Sequence, residues 1–253
     1  MDELLKKINY LQRKINLKEW VETVVFALLF AFLFQTFLYQ PFKIPSGSME
    51  PGLRSGDYLF VEKFAYGYNN SSASFMVNRL NLFSDTYFYN KPQRGDVIVF
   101  LLPKHDDIYY IKRLIGLPGD EIQVKKGLLY VNGKAVNRKF KGKIIGMNSV
   151  QERDMYLEDI SKKGPSYDIY LFNNANKYEF PNSTPIYKVP KDHYFFMGDN
   201  RDNSIDSRYL NDVGYVHQNR IVGKAKVLFW SSNFSFNDLF ADSSTRRIFN
   251  IIK

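Results

Sequence analysis

The chain has no cysteine among its 253 residues, and only three histidines and two tryptophans. The missing cysteine excludes disulfides, thiolate metal sites and cysteine nucleophiles. Export stays open, because a domain of this size does not need covalent staples. His105, His193 and His217 stand in no recognisable triad context, and no His-Glu-x-x-His or other metal-ligand spacing occurs. No metal and no cofactor is therefore expected. The formal charge of +9 comes without any long lysine or arginine block. Nucleic acid and anionic lipid headgroups both attract such a charge, and the scatter of the basic residues sets the lipid surface ahead. No internal repeat or low-complexity tract is evident, and only one apolar run approaches spanning length.

That run is residues 20–39, WVETVVFALLFAFLFQTFLY. A helix of about 20 residues rises about 30 Å, the thickness of a bilayer's hydrocarbon core. Trp20 and Tyr39 suit the two interfaces. Lys6, Lys7, Arg13, Lys14 and Lys18 precede the run, whereas only Lys43 and Arg54 follow it closely. This asymmetry predicts a cytoplasmic N-terminus and an exported remainder. A cleaved signal peptide fits less well, since the run is long and Gln40-Pro41-Phe42-Lys43 offers no small-x-small site. A buried core helix is the other reading of the same length. Upstream, Leu4, Leu5, Ile8, Leu11 and Ile15 recur at roughly helical spacing, which predicts a helix along the inner membrane surface.

The 22 Phe and 18 Tyr suit pleated, half-buried surfaces, and aromatics also gather where a protein meets a membrane. Beyond Pro45 the chain breaks into short apolar runs between Gly, Pro, Asn and Asp. Residues 58–61, 97–100, 109–115, 128–131, 194–197 and 224–230 read as strands. Asn132-Gly133 predicts a two-residue hairpin, and Leu117-Pro118-Gly119-Asp120 a turn of type II. The organisation expected is a cytoplasmic segment over 1–19, a transmembrane helix over 20–39 and an exported, mainly β domain over 40–253. Two stretches fit less well. Residues 66–91 form either a loop dipping into the lipid interface or one packed on the body. Residues 138–190, polar and lysine-rich, are expected to form a smaller inserted subdomain.

Ser48 lies in Ile44-Pro45-Ser46-Gly47-Ser48-Met49-Glu50-Pro51, just past the apolar run. A serine there is a candidate nucleophile for something that also emerges from the membrane, provided it has a base and oxyanion donors. With no histidine in a suitable context, lysine is the remaining base. In a strand, Lys112 shares a face with Ile108, Tyr110 and Leu114, where burial lowers an amine's pKa and lets it accept a hydroxyl proton. The same pattern fits a lysine snorkelling at a strand edge. Arg113 points the other way, where it can stay charged and paired. The run from Gly198 to Arg208 follows an apolar strand, and its acids, amides and arginines suggest a loop braced by internal hydrogen bonds and ion pairs. The spacing is not that of an EF-hand.

At these residues the sequence resembles bacterial type I signal peptidases. Ser46-Gly47-Ser48-Met49-Glu50-Pro51 is similar to their nucleophile box, and Arg94-Gly95-Asp96-Val97-Ile98-Val99-Phe100 to the strand that follows it. The run from Tyr110 to Asp120 is similar to their lysine box, and Gly198 to Arg208 to their last box. The likeness runs from about 20 to about 230 and is thin over the two stretches singled out above. It implies a signal-peptidase-like multi-stranded β catalytic domain with a smaller inserted subdomain, behind one N-terminal transmembrane helix. It further implies a Ser/Lys dyad endopeptidase that removes signal peptides from preproteins at a bacterial cytoplasmic membrane, with its catalytic domain on the periplasmic or extracellular side. Its partners would be signal peptides and the lipid bilayer, with no nucleic acid. Ser48 would be the nucleophile and Lys112 the base. The Ser48 N–H and the Ser46 hydroxyl would form the oxyanion hole, and Ser204 would orient the amine. Asp199, Asp206, Arg208 and Arg113 would support the site. Ile44, Pro45, Met49, Leu53, Tyr110 and Ile111 match the positions that line shallow pockets for small residues at −1 and −3.

Overall fold

The computed structural model describes residues 17–73, 86–87, 89–145, 152–160, 166–172, 176, 178–232 and 248–252. The helix expected over Leu4 to Ile15, and the apolar residues Phe75, Met76, Leu80, Leu82, Phe83 and Phe88, lie outside the described residues.

The long apolar run forms one helix, α1 (Leu17–Phe37). By length and composition it is able to cross a membrane, and nearly all of it is exposed. It ends two residues sooner than the hydropathy predicts. Leu38 turns the chain, and Tyr39 opens strand β1 (Tyr39–Lys43), which pairs with β2 (Asp57–Glu62) over its whole length. Apolarity continues through Tyr39, but strand pairing claims the backbone there.

After β2 come β3 (Val97–Leu101), β4 (Tyr109–Gly116), β5 (Glu121–Lys125), β6 (Leu128–Val131), β7 (Lys134–Ala135), β8 (Asn137–Ile145), β9 (Glu152–Asp159) and β10 (Tyr167–Phe172). The series ends with β11 (Tyr187–Lys188), β12 (His193–Met197), β13 (Val216–His217), β14 (Ile221–Ser231) and β15 (Asn250–Ile251). All six runs read as strands are strands. The chain is mainly β, as expected.

The main sheet runs β1-β2-β14-β3-β4-β12-β13, with β15 beside β14. Its strands alternate as pleated strands must. Leu59 and Val61 of β2 are fully buried while Tyr58 and Phe60 face outward. β3 is buried on both faces. Val97, Val99 and Leu101 join one core with Ile44, Met49 and Leu53, while Ile98 and Phe100 join another with Leu114 and Phe196. A third core, around Ile115, Ile122, Leu129 and Phe195, covers the small sheet β11-β5-β6-β7. Asn132 and Gly133 turn between β6 and β7 with φ of 51° and 74°, the left-handed pair a two-residue hairpin needs.

The inserted subdomain is a three-stranded antiparallel sheet, β10-β9-β8, followed by the segment that returns through β11. It reaches back to the loop that follows β12, where Tyr170 N–H donates to Asp199 O at 2.9 Å.

Candidate active site

The turn that carries Ser48 is held at both ends before it meets any partner. Ile44 N–H donates to Asp57 O at 2.8 Å and Gly56 N–H to Ile44 O at 2.9 Å, which closes the loop between β1 and β2. Asp57, fully buried, accepts from Arg54 N–H at 2.7 Å. The last box clamps the turn from the far side. Asn200 N–H donates to Ser48 O at 3.1 Å, and its side-chain amide donates to Gly47 O at 3.0 Å. Gly198 makes this approach possible. A Cβ there would stand 2.5 Å from Ser48 O and 2.6 Å from Ser204 Cβ, so no larger residue fits.

Lys112 comes in from β4, opposite Ile98 of β3. Its Nζ lies 2.6 Å from Ser48 Oγ and 5.2 Å from the centre of the Tyr110 ring. The residue is only 4% exposed, so it does not snorkel. Burial lowers its pKa from 10.5 to about 8. Asp206 and Asp199 pull it back up, and Arg208 pushes it further down. Burial outweighs both acids, and each acid has an arginine of its own. Asp206 accepts from Arg208 Nε at 2.8 Å and Nη2 at 2.9 Å, and from Gly198 N–H at 3.0 Å. Burial alone would raise the pKa of Asp206, but Arg208 and the Gly198 N–H hold it below the ordinary value. Asp199 takes a forked pair from Arg113, Nε to Oδ1 at 2.7 Å and Nη2 to Oδ2 at 2.6 Å. Arg113 also donates to Gly95 O at 2.7 Å and stacks 3.7 Å over the Tyr167 ring. The site is thus a buried amine, far easier to deprotonate than an ordinary lysine, among acids and arginines that already pair with one another.

Ser46 Oγ is 3.4 Å from Ser48 Oγ, and the Ser48 N–H has no partner among the described residues. Both can donate toward an oxygen bound beside Ser48. Ser204 stands in the same cleft, yet its Oγ is buried without a partner and makes no hydrogen bond to Lys112. The orienting contact expected of it is absent among the described residues.

Pro45, Ser46, Gly47, Ser48, Tyr110, Ile111, Lys112 and Ser204 line one cleft of about 420 Å³. Ile44, Met49 and Leu53, expected as pocket walls, are instead sealed in the core at 2%, 1% and 2% exposure. Met49 and Leu53 face a second cavity on the Arg113–Asp199 side of the turn. The remaining walls of the cleft are Tyr109, Asp202, Asn203, Ile205 and Tyr209. β12 pairs with Arg113, Leu114 and Gly116 of β4, so among the described residues the stretch 109–112 keeps one unpaired edge beside the serine turn.

The inserted sheet supplies braces that local sequence does not announce. Arg153 of β9 donates to Glu50, two residues past Ser48, at 2.7 Å. Glu158 of β9 accepts from Arg201 of the last box at 3.0 Å and from the Tyr167 hydroxyl at 2.8 Å. Asp202 accepts from Phe172 N–H at 2.7 Å and from Asn182 at 2.8 Å. No three His, Cys, Asp or Glu among the described residues are grouped to hold a metal ion.

Known proteins align with most of this chain at about one third identity. The model of the family described as signal peptidase, peptidase S26, matches residues 17–230. A signal peptidase I of Rickettsia typhi (strain ATCC VR-144 / Wilmington) is 34% identical over 227 residues, covering 88% of this chain and 84% of that protein. A signal peptidase I of Rickettsia canadensis (strain McKiel) is 35% identical over 231 residues, covering 89% and 84%. A crystal structure of a signal peptidase I from Enterococcus faecalis V583 has 28% sequence identity, spans 53% of this chain and 97% of its own, and has a TM-score of 0.31. With a family match across all the boxes and relatives this similar over nearly their full length, the chain belongs to the signal peptidase family, peptidase S26, and to its signal peptidase I enzymes.

Proposed function

We propose that the chain is a membrane-anchored serine endopeptidase that cuts signal peptides from exported preproteins after small residues, with Ser48 and Lys112 as its dyad. The observation that carries this reading is the 2.6 Å approach of a buried amine to Ser48 Oγ. A lysine with a pKa of about 8 is neutral often enough near pH 7 to accept a proton. Ser48 Oγ attacks the scissile carbonyl carbon while its proton passes to Lys112 Nζ. The carbonyl oxygen takes the negative charge and receives hydrogen bonds from the Ser48 N–H and the Ser46 hydroxyl. Lys112 then gives its proton to the leaving amine, the acyl-enzyme remains, and the returned base activates water to release it. The Ser204 hydroxyl accepts from the amine and steadies it once Ser48 is acylated, a reading supported by its being buried in the same cleft with no partner among the described residues.

The open edge of β4 over 109–112 is where an extended peptide adds as a strand, held by backbone hydrogen bonds. Pro45, Tyr110 and Ile111 then stand at its side chains, in a narrow cleft that favours small ones. α1 is the anchor, with the basic residues before it on the cytoplasmic side and the β domain outside.

Purified Ser48→Ala is expected to lose at least about 10³-fold in cleavage of a preprotein with alanine at −1 and −3, and to lose labelling by a serine-directed acylating probe. Its circular dichroism should match that of the parent. Cleavage retained by this variant ends the dyad reading.

A further inference from the structure

Lys63 is fully buried, and the catalytic mechanism has no use for it. It opens the short 3-10 turn Lys63–Tyr66 directly after β2. Its ammonium donates to Gln35 O at 3.1 Å, in the last turn of α1. A helix leaves its last four carbonyls without intrahelical donors, and its C-terminal end carries partial negative charge, so a cation suits this place. Two neighbouring carbonyls are taken from the same segment. The Tyr68 hydroxyl donates to Phe37 O at 2.8 Å, and Lys63 N–H donates to Leu38 O at 3.0 Å. Rings close the joint. Phe37 meets Tyr68 with centroids 5.8 Å apart, and Tyr39 packs on Phe34, Phe60 and Phe64 at 5.9, 6.4 and 5.7 Å.

No free linker separates helix from sheet. β1 begins two residues after α1 ends and is paired with β2 in unbroken register from Tyr39 to Lys43. Ile44 follows, already fixed to Asp57 and Gly56, and Ser48 is four residues on. A strand of five residues measures about 17 Å. The path from helix end to nucleophile is therefore a rigid spacer whose lower end is set by side chains from the β2–Tyr68 segment.

We propose that Lys63 and Tyr68 rivet the anchor helix to the catalytic sheet and so fix the height and tilt of Ser48 over the bilayer. They thereby set the spacing between a signal peptide's apolar core and the bond that is cut. This inference rests on the membrane anchoring proposed above. Both are positioning residues, for they touch neither substrate nor dyad. A free peptide diffuses to the cleft at any height, but a preprotein whose apolar core lies in the bilayer does not.

The test uses the full chain in phospholipid vesicles, as Lys63→Met, Tyr68→Phe and the double variant. Substrates are a soluble small-residue peptide and a preprotein series in which the apolar core and the cleavage site are separated by one more residue at each step. The parent should cut within a narrow window of spacings. The double variant should broaden that window and lose about tenfold at its optimum, the scale of one hydrogen bond to a charged group, while the soluble peptide is cut at the parent's rate. Tyr68→Phe removes one hydroxyl from a half-buried ring, and it should show a smaller broadening if Lys63→Met fails to fold. Variants that float with the vesicles, cut the peptide normally and keep the parent's window overturn the rivet alone. A parent chain that does not float with the vesicles overturns the anchoring reading itself, and the rivet with it.

Discussion

Lys112→Met is expected to remove preprotein cleavage while making the protein more stable at neutral pH. Methionine keeps the apolar reach of the stem but not the base, and loss of a positioned general base costs about 10²–10⁴-fold in rate. The gain in stability follows from the buried amine. Its pKa is about 8 in the folded protein against 10.5 when unperturbed. Below pH 8 both folded and unfolded chains carry the proton, and the folded one bears the whole cost of burying it. Between 8 and 10.5 the unfolded chain holds a proton the folded one has released, so stability rises with pH across that window. Above 10.5 the difference is gone. The distance from 10.5 to 8 corresponds to about 3 kcal/mol at 1.36 kcal/mol per pH unit. Asp206 and Asp199 lose one weak attraction in the variant but keep their arginines. Thermal unfolding in detergent should therefore show a higher midpoint for Lys112→Met at pH 7, and no advantage at pH 11. A variant less stable than the parent at pH 7 would mean that the amine is charged and well compensated.

Asp199→Ala is expected to have the opposite signature, with stability and activity falling together. It leaves the Arg113 guanidinium, 3% exposed, without its forked partner. Breaking a buried pair on one side costs about 3–5 kcal/mol, because the remaining charge cannot return to water. For a chain of this length that lowers the unfolding midpoint by about 10 °C. The damage also reaches the dyad through adjacent residues. Arg113 follows Lys112 on β4, and Asp199 lies between Gly198 and Asn200, which hold Ser48. Replacing both partners, as Arg113→Met with Asp199→Leu, should recover part of the stability, since no lone charge then remains. A single variant that melts with the parent would show the pair to be ornamental.

The strands were legible because their chemistry is local. Short apolar runs between turn residues marked β2, β3 and β4, and Asn132-Gly133 marked the hairpin by its need for positive φ. Lys112 was legible as a cation on an apolar face, and Arg113 as its paired neighbour. The braces from β9 were not. Glu158 and Arg201 are polar residues in polar stretches, and nothing nearby states that they meet across the fold. The same holds for Arg153 and Glu50. The end of α1 was misplaced by two residues because hydropathy does not distinguish a helix's last turn from the first residue of an apolar strand. Ile44, Met49 and Leu53 carry the right residue types for a pocket, but whether an apolar side chain lines a cleft or closes a core depends on the opposite wall. Here that wall is β3 and β14.

The proposed dyad requires Lys112 to be neutral when Ser48 attacks. The most direct measurement is the pH dependence of kcat/KM for preprotein cleavage, which reports the ionisations of the free enzyme. The structure predicts a rate that rises with pH along a limb of unit slope with its midpoint near 8, the value burial gives Lys112. A limb near 10.4, the ordinary lysine value, or none at all between pH 6 and pH 10, would contradict it.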